Sequence, residues 1–247
     1  IGSGIGGLTA GVLLATHGYK VTVLERHFRP GGFLHRFFRE GVPYDTGFHY
    51  CGGVGPDHAL GRVLRHLGVF DDLDFLPLEK DGFDRLRFPD GFEFKVPVGM
   101  PAYRAALKET FPSEAVGIDA FCDAVLEAVR HYGLYNLDSV INVEQFVRWE
   151  SLPLAEFIDS HVTDPRCRAV LSAQSALYGV PAAETPFGLH AIVLSHFLEG
   201  PHSIVGGGDA LAMAMVRRLR GLGAEVRLRA EVTGIQIVDR RARAVEL

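Results

Sequence analysis

Ile1-Gly2-Ser3-Gly4-Ile5-Gly6-Gly7 places the pattern G-x-G-x-x-G at Gly2, Gly4 and Gly7, and Glu25 ends the apolar run Val21-Thr22-Val23-Leu24 eighteen positions later. Gly2 permits a tight strand-to-helix turn, Gly4 lets the main chain approach a pyrophosphate, and Gly7 lets helix and strand pack closely. The helix that follows offers an anion its free N–H groups and the positive end of its dipole. With 29 glycines in 247 residues such a triplet arises by chance about 0.4 times, so its context decides.

Leu8, Val12 and Ala15 recur at helical spacing, Gly18 supplies a stop, and residues 19–24 are apolar and β-branched enough for a buried parallel strand. Glu25 then sits at the carboxyl end of that strand. There it accepts hydrogen bonds from a ribose diol and repels an NADP 2′-phosphate. Only Ile1 precedes the glycines and no initiator Met is present, so the chain reads as a fragment truncated at its first strand. Beyond Glu25 runs Arg26-His27-Phe28-Arg29-Pro30-Gly31-Gly32, in which Gly31 and Gly32 turn main-chain N–H groups toward a phosphate while Arg29 adds charge. A type II turn at Pro30-Gly31 is the structural alternative. An NAD-binding Rossmann unit does not require this second element, whereas FAD enzymes often carry it, which moves the weight from NAD to FAD.

Apolar residues make up 47% of the sequence, enough for one large or two modest domains, and the net charge of −5 argues against nucleic acid as a partner. Cys51, Cys122 and Cys167 are far apart and form no C-x-x-C pair, so neither a disulfide framework nor a metal site is implied. No run of 18 apolar residues and no signal-peptide pattern is present, and the expected location is cytoplasmic. Arg217, Arg218, Arg220, Arg227 and Arg229 form a basic cluster, read as a solvated face, with peripheral membrane contact as the minority reading.

Residues 83–97 read as a hairpin turning at Pro89-Asp90-Gly91. Residues 101–149 are helical in pattern, with Tyr103, Leu107 and Phe111 on one stripe and Phe121, Val125 and Val129 on another, divided at 111–113 and 132–139. Further helices are expected over 154–161 and 165–177, the latter led by Asp164 and Pro165. The apolar stretch 186–198 carries His190 and His196 and reads as core or as the wall of a substrate tunnel. Gly206-Gly207-Gly208-Asp209 opens a helix with Asp209 as its expected cap, and residues 224–228 form a strand.

Together with Asp45-Thr46-Gly47-Phe48-His49-Tyr50, Arg87-Phe88-Pro89-Asp90-Gly91, Tyr178-Gly179 and Gly206-Gly207, these motifs resemble the phytoene desaturase-related flavoproteins, and most closely the retinol saturases (all-trans-retinol 13,14-reductases) and carotenoid isomerases. Ile204 departs from the proline common before the glycine pair in that group. The resemblance implies an α/β fold, a Rossmann-like FAD-binding domain of the glutathione reductase and amine oxidase type with an inserted α+β substrate domain, truncated at both ends. Residues 1–75 and 199–247 form the two parts of the flavin domain and 76–198 the substrate domain. It implies FAD held by Gly2, Gly4, Gly6, Gly7, Glu25, Arg26, Arg29, Gly31, Gly32 and the backbone of Val232, with NAD(P)H a candidate electron donor. The substrate implied is an apolar polyene or isoprenoid, with hydride transfer at flavin N5 and with His49 and Tyr50 as candidate catalytic residues. Saturation, desaturation and isomerisation stay open, as do an NAD-dependent dehydrogenase and a remnant that holds no cofactor; neither oligomeric state nor metal is implied.

Overall fold

Gly18, at φ +81°, stops the first helix, Ile5–Thr16, whose Leu8 and Val12 are fully buried. In this computed structural model residues 1–137 and 142–247 are described, and they divide into two units. One comprises Ile1–Tyr50, Gly61–Leu76 and Ser203–Leu247, the other Cys51–Leu60 and Pro77–His202.

In the first unit a Cβ added to Gly11 would lie 3.3 Å from the side chains of both Val23 and Leu219. The bare backbone there lets the first helix settle on the strand Thr22–Leu24 and on the helix Gly207–Gly221. Thr22–Leu24 pairs in parallel with Glu225–Arg227, each strand following its helix, which is the α/β arrangement. The strand is shorter than the expected 19–24 because Tyr19 and Lys20 are exposed and lie beyond the ladder. A hairpin, Arg36–Arg39 against Val42–Asp45, turns through Glu40 and Gly41, both at positive φ. The expected Asp209 cap is corrected: Gly206, at φ +88°, takes that place, since Asp209 is drawn to the Arg36 N–H at 3.1 Å and the Arg29 guanidinium at 3.4 Å.

In the second unit the 83–97 hairpin forms as Asp84–Arg87 against Glu93–Val96. Phe94 and Val96 join a core with Tyr103, Leu107, Phe111, Phe121 and Val125 from the helices Met100–Thr110 and Ala115–Arg130 and the turn between them. Residues 138–139 of the expected break lie outside the described residues. Asp164 caps Pro165–Leu171 by accepting the N–H groups of Arg166 and Cys167. That helix ends earlier than the expected residue 177, where the Ser172 hydroxyl donates to the Arg168 carbonyl and a separate turn, Ser175–Tyr178, begins. Residues 51–60, expected with the first 75, cluster with this unit. Phe187–Leu198 packs into the core through Phe187, His190, Ala191 and Leu194, all fully buried.

His190 accepts the Tyr178 hydroxyl at Nδ1 (2.8 Å) and donates from Nε2 to the Leu171 carbonyl (2.9 Å). Burial lowers its pKa from 6.5 to about 4. The unfolded chain therefore binds the extra proton first, and stability present above the unfolded value drains away as pH falls from 6.5 toward 4. Urea unfolding at pH 7 and pH 5 is expected to show a lower midpoint at pH 5, and His190→Gln to shrink that difference.

Candidate cofactor site

Ser3, fully buried between Gly2 and Gly4, joins three separate segments. The Glu25 carboxylate accepts the Ser3 N–H at 2.8 Å and the Ser3 hydroxyl at 2.7 Å on Oε2, and the His27 N–H at 2.8 Å on Oε1. The Gly31 N–H donates to both the carbonyl (3.0 Å) and the hydroxyl (3.2 Å) of Ser3, which corrects the expectation that it turns toward a phosphate: it braces the glycine loop instead. Burial pushes the Glu25 carboxyl up, but the donors from His27 and Ser3 outweigh it and hold the group below the usual carboxylate range. Three donors occupy three of about four lone-pair sites, leaving capacity for a ligand hydroxyl. In the glycine pattern Ser3 occupies a position open to any residue. A hydroxyl between two glycines was the available signal.

The glycines divide into two kinds. A Cβ on Gly7 would meet the Gly2 carbonyl oxygen at 2.1 Å, and one on Gly32 would come to 3.1 Å from the Gly4 Cα, so these two permit the turn to close. Around Gly2, Gly4 and Gly6 a Cβ would meet nothing within 4 Å. Gly4 has φ −63°, which any residue adopts, so its bareness leaves an open approach to the backbone. The helix that Gly4 begins has no side-chain cap and no acidic residue in its first turn, and its first N–H groups have no intrahelical acceptor. Such a terminus suits an anion.

Two cavities flank Glu25. One, of about 270 Å³, is lined by Gly2, Glu25, Arg26, Glu231 and Val232 among others. The other, of about 220 Å³, is lined by Glu25, Arg26, Arg29, Gly32 and Phe33 with His27 and His35. The structure thus gathers Gly2, Gly4, Glu25, Arg26, Arg29, Gly31, Gly32 and Val232 into one region. Arg29 is less free than its charge suggested, since it pairs with Asp209, donates to the Arg36 carbonyl and lies 5.1 Å over the Phe38 ring. His49, exposed, and Tyr50, half-buried, line neither cavity.

Residues 5–247 match the family described as flavin containing amine oxidoreductase. Among curated relatives, the all-trans-retinol 13,14-reductase of Rattus norvegicus is 32% identical over 99% of this chain and 42% of its own length. Prolycopene isomerase 1 of an Oncidium hybrid cultivar is 28% identical over 100% of this chain and 45% of its own. The chain therefore spans less than half the length of these two relatives. An oxidoreductase from Methanosarcina mazei superposes with a TM-score of 0.70 at 16% identity, covering 99% of this chain and 54% of that one. Among the described residues no helix is long and apolar enough to cross a membrane.

Ser3→Ala removes a donor to a buried carboxylate and an acceptor of the Gly31 N–H together. It is expected to cost about 1–3 kcal/mol in urea unfolding and to raise the Glu25 pKa, read by carboxyl-resonance titration.

Proposed function

The chain belongs to the flavin containing amine oxidoreductase family, and from that premise we propose that residues 2–7, Glu25, Gly31, Gly32 and Val232 hold FAD. The whole protein is then an FAD-dependent oxidoreductase acting on the carbon–carbon double bonds of an apolar polyene or isoprenoid. The observation that carries the reading is the open backbone at Gly4, at an uncapped helix N-terminus and a short span from Glu25 through Ser3. The uncapped N–H groups of residues 5–7 would hold the pyrophosphate. Glu25, fixed by Ser3 and His27, offers its remaining lone pair to a ribose hydroxyl, and the main chain at Val232 closes the cavity expected to hold adenine. Arg29 balances Asp209, which leaves the helix terminus and the side chain of Arg26, a residue lining both cavities, as the positive features of the site. FAD, when bound, supplies hydride exchange at N5. The proton for the neighbouring carbon would come from His49 or Tyr50, whose side chains carry the hydrogens such a step needs. The names of the relatives support both a reductase and an isomerase direction, and NAD(P)H stays a candidate donor.

Gly4→Ala tests this directly, because its methyl group enters space that is empty in the structure while crowding a phosphate held against the backbone. The full-length protein is expected to purify yellow, with the two-band spectrum of bound flavin. The variant is expected to unfold within about 1 kcal/mol of wild type, the cost of losing glycine at an N-cap, and to bind FAD at least about tenfold more weakly. Equal flavin content in both would dismiss the assignment. Anaerobic mixing of the reduced protein with retinol or lycopene then tests the substrate class: flavin present but unresponsive to either would leave the fold and discard the polyene.

A further inference from the structure

The loop after Tyr50 is clamped to the end of the helix Phe187–Leu198 within the second unit. The Gly52 N–H donates to His196 Nε2 at 3.0 Å. A Cβ on Gly52 would fall 1.5 Å from the His196 carbonyl oxygen, and one on Gly53 would sit 3.2 Å from both His196 Nδ1 and Glu199 Oε2. Cys51 exchanges two main-chain hydrogen bonds with His202, at 2.9 and 2.7 Å. The loop is therefore held along its main chain, and the imidazole is the one side chain among these contacts that accepts from it.

An acceptor at Nε2 must be unprotonated, so the proton of this imidazole rests on Nδ1. Protonating Nε2 would set one donor against another. We propose that His196 is a positioning residue: by accepting the Gly52 N–H it fixes the peptide that directly follows His49 and Tyr50, and it does so only as the neutral imidazole. The titratable groups facing it are His58, from the same loop and 3.9 Å from Glu199, then Glu199 itself and, beside Glu199, Tyr135. Burial, followed by the charge of His58, lowers the His196 pKa from 6.5 to about 4, and burial raises that of Glu199. The neutral form of the clamp accordingly holds through neutral pH. The catalytic part of this role rests on the proposed use of His49 or Tyr50.

The test compares wild-type full-length flavoprotein with His196→Leu, which has no acceptor, and His196→Gln, whose amide oxygen accepts but does not titrate. His196→Leu is expected to speed exchange of the Gly52 amide about tenfold and to lower kcat more than it changes KM, with flavin content unaltered. His196→Gln is expected to restore both and to lose the acid-side fall in kcat, centred near pH 4, that is expected of wild type. Wild-type exchange and kcat in His196→Leu would overturn the inference, as would identical acid limbs in wild type and His196→Gln, the comparison that decides if His196→Leu does not fold. A faster Gly52 amide at unchanged kcat would overturn the catalytic role. A colourless wild-type protein would overturn the flavin reading, while the exchange comparison would still decide the clamp.

Discussion

One hydroxyl group organises the first unit. Ser3 Oγ donates to the buried Glu25 carboxylate and accepts from the Gly31 N–H, so a loop, a strand end and a glycine doublet distant in sequence share one hydrogen-bonding centre. A carboxylate only 8% exposed is expensive unless donors surround it, and here the Ser3 N–H, the Ser3 hydroxyl and the His27 N–H do so. The same bonds hold Gly4 against Gly31 in a parallel bridge. Without this centre the two cavities beside Glu25 would lose their common wall.

The unit contains two helices with glycine-rich starts, and side-chain chemistry separates them. At Gly207–Gly221 the first turn carries Asp209, which accepts from Arg36 and Arg29, while the space a Cβ on Gly207 would need is filled by the Arg36–Asp45 pair. Its positive end is already answered by an anion of the chain itself. At Ile5–Thr16 no acidic side chain and no cap stands in the first turn, and space is open over Gly2, Gly4 and Gly6. Glu25 lies beside Ser3, just ahead of this second terminus, but leaves the N–H groups of its first turn free, so an incoming phosphate finds open donors there and an anion already seated at the other.

Much of this was legible in the sequence because it depends on local rules. Glycine spacing, the 3.6-residue recurrence of Leu8, Val12 and Ala15, and the Asp164-Pro165 start each act over a few residues, and each is visible in one reading of the chain. What escaped was long-range. Ser3 is 22 positions from Glu25 and 28 from Gly31, and nothing in its neighbourhood announces either partner. Asp209 satisfies the local rule for a cap, yet its preference for Arg36, 173 residues away, outweighs a rule worth about 1 kcal/mol. Arg29 kept its predicted neighbourhood but acquired a partner that the sequence could not show.

The histidines of the second unit carry the same lesson into acid–base behaviour. His190 and His196 stand six residues apart on one helix, and composition alone gives them the same chemistry. Both are held neutral by burial, yet through different contacts: the first sits between the Tyr178 hydroxyl and the Leu171 carbonyl inside the core, the second accepts a main-chain N–H from a loop. Protonation at His190 leaves a charge in the core whose two neighbours can still accept from an imidazolium, since the tyrosine oxygen has lone pairs. Protonation at His196 has no such remedy, because an amide N–H cannot reverse its direction. A histidine facing a hydroxyl therefore carries mainly a solvation penalty in acid, whereas one facing a backbone amide also loses its bond. Burial sets where each imidazole titrates, and the partner sets what its protonation would break.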